Sequence, residues 1–261
     1  MYLDHAAATS LWPEVKALIK DLVDQDLANR SSLHASGRKA RALIDQARQT
    51  CANIFQVDPE QVIFTSGATE AANLALHDKK SWVSDLAHSC LHEAARIKIE
   101  NPEDAEVLAL EHGCSETGHV RVLNSVNKKS DQKIVLDIAA SLVTEDINLK
   151  NSDADALILS GEKFGGLSGA GLLIRDKFFE IIPLQGGTQE FGLRGGTENV
   201  IGIVALAKAL SLHTAQKSAL RKHFEDLHAY ARAELKKAGL KIITPEKNYL
   251  PHILNFMLPK S

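Results

Sequence analysis

The chain is poor in cysteine, with three among its 261 residues. Cys51, Cys90 and Cys114 are scattered, form no CxxC pair and do not make an even set. Disulfide frameworks belong to oxidising compartments and need paired cysteines. The sequence therefore excludes a disulfide-stapled fold and predicts a reducing, cytoplasmic location.

Long hydrophobic runs and a strong charge of one sign are also missing. The longest apolar stretches, 154–160 and 200–212, are too short or too interrupted to span a bilayer. Met1–His5 contains an early acid and starts no apolar segment, so we expect no secretory signal. A formal net charge of −3 gives no reason to expect nucleic acid or a membrane as partner.

What the sequence does contain is an alternation of strand and helix patterns. Such an alternation favours an α/β fold with a mostly parallel sheet flanked by helices. We predict a large domain over 1–212, whose first segment 1–12 packs on a truncated small domain over 213–261. Strands are expected at 61–64, 82–86, 106–110, 133–136, 156–159, 171–175, 240–244 and 252–258, and helices at 13–26, 38–55, 68–76, 91–99, 199–212 and 213–239.

The turn Thr65–Glu70 follows a buried strand and opens a helix at Ala68 and Thr69. The free N–H groups at a helix start, together with the helix dipole, favour an anion such as a phosphate. A strand-to-helix turn capped by Thr65 or Ser66, with no ligand, explains the same residues.

Two further residues follow buried strands directly. Asp137 ends the stretch Ile134–Asp137, at the sheet edge where ligands bind in open α/β folds. Lys163 follows Ala156–Leu159 among glycines, where a partly desolvated amine can form an imine with an aldehyde cofactor. The alternatives are a loop or N-cap aspartate and a surface lysine in a glycine-rich turn.

A glycine-rich segment, 186–199, surrounds Arg194 and ends in Thr197 before the long apolar helix. Arg194 has the fork geometry that binds a carboxylate in two hydrogen bonds. Thr197 fits either a helix cap or a phosphate ligand. A mobile linker is the alternative.

Taken in order, these motifs resemble those of the cysteine desulfurases, in the class V aminotransferase branch of the pyridoxal-phosphate (PLP) enzymes. The resemblance runs from Tyr2 to about Leu258. It rests on these stretches: 2–9, which looks like the family's first strand and loop; 29–34, similar to Asn-Pro-Ser-Ser-x-His with Arg30 in place of proline; the phosphate turn 65–76; 160–166, similar to Ser-Gly-His-Lys; and 187–199, similar to Gly-Gly-x-Gln-Glu…Leu-Arg-x-Gly-Thr-x-Asn. The resemblance implies a type I PLP-transferase fold with an incomplete small C-terminal domain.

The resemblance also implies roles for individual residues. Lys163 would carry the cofactor and move protons, and His88 would stack on the cofactor ring. Asp137 would pair with the ring nitrogen. The remaining implied residues are Ala68, Thr69 and Ser160 for the phosphate, Thr197 for the phosphate of a partner subunit in a homodimer, and Arg194 and Asn29 for the substrate, L-cysteine or a related small amino acid.

Several positions depart from the family pattern. Glu162 stands where the family has a phosphate-binding histidine, and a carboxylate repels a phosphate dianion. Ala140 replaces a glutamine that bonds the ring hydroxyl, and the region between His88 and Asp137 is shorter, without the family's ring-contacting asparagine. The loop that carries the family's nucleophilic cysteine lies beyond the 251–256 strand and is not found before Ser261.

The three cysteines offer no clear replacement for that nucleophile. Cys51 has the helical spacing of a core residue, and Cys90 lies near His88 at an expected helix start, where we favour a structural role. Cys114 is expected to be exposed. The thiol would then come from another protein or segment, with a sulfur-acceptor protein and iron–sulfur cluster assembly as the implied setting.

Three functional hypotheses follow from these observations. The first is a cysteine desulfurase-like PLP enzyme that gives alanine and a persulfide. The second is a degenerate homologue that serves as a scaffold or regulatory subunit, as the departures at Glu162 and Ala140 suggest. The third is a PLP lyase that needs no cysteine nucleophile.

Overall fold

A computed structural model describes residues 2–123 and 126–258. Its helices are α1 (Pro13–Val23), α2 (Ala35–Phe55), α3 (Ala68–Leu76), α4 (Ser89–Ala94), α5 (Leu149–Ser152) and α6 (Val200–Lys237). Its strands are β1 (Val62–Thr65), β2 (Lys80–Val83), β3 (Ile97–Lys98), β4 (Val107–Glu111), β5 (Lys133–Asp137), β6 (Ala156–Ser160), β7 (Gly171–Arg175), β8 (Lys241–Ile242) and β9 (Phe256–Met257).

Seven strands form one sheet in the order β1-β7-β6-β5-β4-β2-β3. The strands β3, β2, β4, β5 and β6 pair in parallel, whereas β7 runs antiparallel to both β6 and β1. The predicted α/β class with a mostly parallel sheet is confirmed. Because the parallel strands share a direction, their carboxyl ends meet at one edge of the sheet.

Both faces of the sheet are covered by helices. Leu108 and Leu110 of β4 pack into a cluster with residues of α1, α2 and α6. Val107 and Ala109, which alternate with them, pack with α3 and α4 on the opposite face. This alternation follows the two-residue period of a strand, and burial on both faces explains the nearly continuous apolar sequence of these strands.

The two helices predicted on either side of residue 212 are one continuous helix of 38 residues, α6. Its first half is buried against the sheet, and its charged second half leads to the small β8–β9 sheet. The proposed domain division at 212/213 lies inside this helix and stays a prediction. Among the residues that the structure describes, no helix has both the length and the apolarity needed to cross a membrane.

Two local predictions were wrong. The helix expected over 91–99 ends at Ala94, because Ile97 and Lys98 leave the helix and pair with β2. The resemblance implied a first strand and loop within 2–9, but this stretch has no strand and consists of turns and irregular backbone, with a bond from the Ala7 N–H to the Asp4 carbonyl. At Ile97–Lys98 the pairing with β2, which a local pattern does not contain, decides the conformation.

Candidate active site

A cavity of about 500 Å³ opens at the carboxyl ends of the parallel strands. The residues that end β4, β5 and β6, which are Glu111, Asp137 and Ser160, all line it. Six of the seven predicted cofactor residues line this cavity, namely Ala68, Thr69, His88, Asp137, Ser160 and Lys163. The structure thus brings together residues that are separated by up to ninety-five positions in the chain (68 to 163).

Asp137 is buried at the floor of this cavity. Its Oδ1 accepts a hydrogen bond from the Ala139 N–H at 2.9 Å, and its Oδ2 has the Cys90 thiol as a distant donor, with Sγ at 4.0 Å. Burial raises the pKa of the Asp137 carboxyl, while the Ala139 N–H and the nearby His88 and Lys163 lower it. A buried carboxylate oxygen without a close donor fits a ligand that brings a positively charged N–H.

Lys163 follows β6 in a short turn and reaches the cavity from the side. Its Nζ donates hydrogen bonds to the carbonyls of Ala6 at 3.1 Å and Ala7 at 2.8 Å. The same turn is held by the Thr9 N–H, which bonds the Glu162 carbonyl, and by the Trp12 indole, which bonds the Phe164 carbonyl. The N-terminal segment therefore positions the loop that carries the lysine.

A second, larger cavity of about 870 Å³ adjoins Lys163 on its other side. Its lining includes the N-terminal segment, α6 and the turn at Pro251–Asn255. Residues 3–6 and 9–13 thus face the second half of α6 across this cavity, as well as contacting the lysine turn.

The turn between β1 and α3 forms the opposite wall of the smaller cavity. Gly67 precedes the helix, and a Cβ there would lie 3.4 Å from the Ser160 Oγ. Ala68 and Thr69 supply the first N–H groups of α3, which have no acceptor within the helix. This arrangement fits a phosphate group between the helix start and Ser160.

Glu162 lies at the same end of the cavity. The Ser160 hydroxyl donates a hydrogen bond to the Glu162 Oε2 at 2.5 Å. This bond occupies the hydroxyl that the phosphate would use, and it places a carboxylate close to the phosphate position. At Glu162, where the sequence departs from the family pattern, the carboxylate and a phosphate would compete for the same Ser160 hydroxyl.

His88 lies at the rim of the cavity and is exposed to solvent. Its Nδ1 accepts a hydrogen bond from the Cys90 N–H at 3.2 Å, so the imidazole is the N-cap of α4. That bond fixes the ring at the edge of the cavity, where one of its faces can cover a bound ring. The capping and stacking roles are compatible because they use different parts of the imidazole.

Arg194, Thr197 and Asn29 do not line either cavity. Arg194 is paired with Glu70 of α3 through two hydrogen bonds, Nε to Oε1 at 2.7 Å and Nη2 to Oε2 at 3.2 Å. Thr197 is exposed and precedes the helix cap, because Asn199 accepts the bond from the Gly202 N–H. Asn29 is exposed and bonds the Ser31 N–H.

The cysteines differ in their surroundings. Cys51 is fully buried, and burial raises the pKa of its thiol to about 12. Burial, with the Asp137 charge adding to it, likewise raises the pKa of the Cys90 thiol to about 12. Cys114 was expected to be exposed, but it is buried, and it lines the smaller cavity. Its backbone N–H bonds the His119 carbonyl in a tight loop that turns it inward.

Glu111, which lines the cavity, and its partner Arg121 were missed in the sequence. Glu111 ends β4 beside Asp137, and Arg121 bonds its Oε1 at 2.6 Å. The available signal was that an apolar run closes with an acid in Val107–Glu111 just as it does in Ile134–Asp137. The partner Arg121 could not be found locally, because it arrives from a loop after the strand.

These residues fit the cofactor PLP. An amine, a buried carboxylate and a helix start with a neighbouring hydroxyl surround one cavity, although Glu162 opposes the phosphate end. Within residues 2–123 and 126–258, no group of three or more metal-ligating side chains is assembled. The ligand that suits these protein groups is an organic anion with a basic ring nitrogen.

The fold and the site together define the class of protein. The family model of the aminotransferase class-V family matches residues 1–88 and 90–261. The chain belongs to this PLP-dependent family.

Similar proteins show which members of this family the chain resembles. The putative cysteine desulfurase IscS 1 of Bacillus subtilis (strain 168) is 28% identical over 298 residues, covering 99% of this chain and 79% of the relative. The X-ray structure of a NifS-like protein from Rickettsia africae ESF-5 superposes with a TM-score of 0.87 at 28% identity, covering 96% of this chain and 79% of that one. A structure described as SspA in complex with cysteine has a TM-score of 0.73 at 27% identity and covers 80% of this chain and 72% of that one. The predicted family, fold and cysteine desulfurase-like character are confirmed.

Proposed function

We propose that this protein binds PLP through Lys163 and removes sulfur from L-cysteine, leaving alanine. The observation that carries the proposal is that the Lys163 amine and the buried Asp137 carboxylate line one cavity, opposite the helix start at Ala68 and Thr69. The names of the relatives, a cysteine desulfurase and a protein bound to cysteine, support the substrate.

Each residue has a distinct task in this proposal. PLP, when bound, supplies an electron sink for the bond changes at the substrate carbon. Asp137 binds the protonated ring nitrogen, and His88 covers one face of the ring. Ala68, Thr69 and Ser160 hold the phosphate, and the Lys163 Nζ takes the proton from the substrate α-carbon and returns it.

Sulfur transfer needs a thiolate, since the thiolate is the nucleophilic form of cysteine. A pKa of about 12 keeps the Cys90 thiol protonated near neutral pH. Cys51 is buried in the core, and Cys114 has no counterpart in the family pattern. We therefore assign the acceptor thiol to a separate protein or to a further segment, in a pathway such as iron–sulfur cluster assembly.

A homodimer in the cytoplasm is part of the same proposal. Thr197 is exposed and away from its own cavity, which suits a residue that reaches the phosphate of a partner subunit. Arg194, which belongs to the glycine-rich segment 186–199, and Asn29 both lie outside the cavity. A substrate role for them therefore also depends on the dimer. Three unpaired, buried cysteines suit a reducing compartment. The large domain is proposed to end at residue 212.

The test is to add PLP to the purified protein and record its visible absorption. Reduction with borohydride followed by mass spectrometry then shows which lysine carries the cofactor. We expect a visible band and a modified Lys163, and both should be lost in Lys163→Ala. The Lys79→Ala variant, at a lysine outside the cavity, is the control and should keep the band.

Turnover assays separate the remaining hypotheses. Sulfide or persulfide formation from cysteine that requires an added thiol supports the desulfurase. Release without any thiol would instead support a PLP lyase. Absence of a band in the parent protein would overturn the enzyme proposal and leave the scaffold hypothesis.

A further inference from the structure

Glu111 occupies a position in the cavity that none of the predicted roles explains. It ends β4 and is the direct neighbour of Asp137, which ends β5 in the same parallel register. Neighbouring residues in register on adjacent strands point to the same face of the sheet. Both side chains line the cavity of about 500 Å³.

The carboxylate of Glu111 is only partly satisfied. Its side chain is 3% exposed, and its Oε1 accepts the bond from the Arg121 Nη2 at 2.6 Å. The Oε2 is buried and has no hydrogen-bond partner among the residues that the structure describes. Burying a charged oxygen without a donor is unfavourable, so the unpaired atom points to a ligand in the cavity.

The ion pair with Arg121 compensates for only part of the negative charge that Glu111 brings to the cavity. The Arg121 side chain is 22% exposed, so water screens its charge more than that of the enclosed carboxylate. Arg121 also donates to the Ser84 hydroxyl and to the Glu111 carbonyl, and none of its hydrogen bonds reaches the Glu111 Oε2. Glu111 therefore acts electrostatically on its neighbour Asp137.

We propose that Glu111 is a positioning residue for the cofactor: together with Asp137 it holds the ring nitrogen in its protonated form. The inference rests on the proposed PLP site. The ring nitrogen bonds Asp137, and the second carboxylate beside it stabilises the resulting positive charge. The other titratable groups that face Asp137 are His88 and Cys90 at the start of α4 and Lys163 after β6. Glu111 is the second carboxylate beside Asp137, in register with it on the adjacent strand.

The Glu111→Gln variant tests this, because it keeps the shape of the side chain and removes its charge. PLP labelled with ¹⁵N at the ring nitrogen is bound to the protein, and its NMR signal is followed across the neutral and alkaline range. We expect the ring nitrogen of the variant to lose its proton at least about one pH unit lower than in the parent protein, the shift that one nearby charge produces. The affinity for PLP should fall by about tenfold, the equivalent of one such unit.

Two further variants make the outcome specific. Glu111→Asp keeps the charge and should restore most of the parent titration, whereas a merely structural role would not be restored by a shorter side chain. Glu103→Gln removes an exposed carboxylate near the other end of β4 and should leave the titration unchanged. Unchanged titration and affinity in Glu111→Gln, with normal binding by the parent, would overturn this inference alone. A parent protein that binds no PLP would overturn it together with the proposed function.

Discussion

At the scale of single residues, the phosphate end of the cavity is where this chain differs most from its family pattern. The Ser160 hydroxyl is bonded to Glu162 instead of being free for an anion. The Glu162 carboxylate and a phosphate dianion at this position would repel each other. The protein should consequently bind the cofactor less tightly than its other site residues would allow.

Replacing Glu162 with glutamine should strengthen PLP binding. The substitution removes one charge beside the phosphate and leaves a side chain of the same size. We expect the dissociation constant to fall by about tenfold, which corresponds to about 1.4 kcal/mol. It is measured by titrating PLP against the visible absorption band.

Glu180→Gln is the matched control, because Glu180 is exposed and does not line the cavity. It should leave the affinity unchanged. Equal or weaker binding in Glu162→Gln would contradict a repulsion between the Glu162 carboxylate and the phosphate.

At the scale of secondary-structure elements, one buried ion pair fixes the glycine-rich segment 186–199 to the sheet. Arg48 of α2 donates two hydrogen bonds to the Glu190 carboxylate, at 2.9 and 2.5 Å. Glu190 also accepts the Phe64 N–H of β1 at 2.8 Å. Glu190 and Phe191 have positive φ angles of 47° and 60°, a conformation that non-glycine residues keep only where surrounding contacts hold it.

Glu190→Ala should lower the free energy of unfolding by about 3–5 kcal/mol, because it leaves Arg48 buried without its partner. Denaturant unfolding followed by circular dichroism measures this change. The control Glu234→Ala removes an exposed ion pair with Lys237 and should cost less than about 1 kcal/mol. Similar losses in the two variants would contradict the structural role of Glu190.

The elements also show what the sequence alone could predict. The bounds of β7 are those expected, and Asp137 and Lys163 meet in one cavity, because strand ends carry recognisable apolar patterns. The contact of Glu190 with Arg48 was not predictable, since it joins residues 142 positions apart. That of Glu111 with Arg121 depends on how the loop after β4 folds back onto the strand, which no local pattern contains. Nor was the short strand β3, whose conformation depends on pairing with β2.

At the scale of the whole molecule, α6 joins the sheet to the region that ends in β9. Buried histidines mark the junction, with His213 bonded to the Val143 carbonyl and His228 to the Pro251 carbonyl. Burial lowers the pKa of His252, which adjoins them, to about 4, and His213 and His228 contribute to the shift. The folded protein therefore contains a neutral imidazole at pH values where the unfolded chain is protonated.

This difference should make the protein acid-sensitive. Because the pKa of His252 is lower in the folded state, the unfolded chain binds more protons below its ordinary value of about 6.5, and stability falls there. The loss should build up as the pH drops from about 6.5 to about 4 and should be on the order of 3 kcal/mol for a shift of this size. Unfolding free energies measured across this range test the expectation.

His252→Leu is the comparison, since it cannot be protonated. Its stability should decline less steeply over the same range than that of the parent protein. Parallel curves would show that His252 is accessible to protons without unfolding.

The bonds from the Lys163 amine to the Ala6 and Ala7 carbonyls have a consequence for the beginning of the chain. When the amine enters a covalent bond with an aldehyde, it has fewer protons to donate, and the two carbonyls must turn to water or to other donors. The amide protons of this segment then exchange with solvent at a different rate in the loaded and the empty protein. The exchange rate of the amide protons in residues 4–9, measured by hydrogen–deuterium exchange, should therefore report whether Lys163 carries the aldehyde, without any substrate.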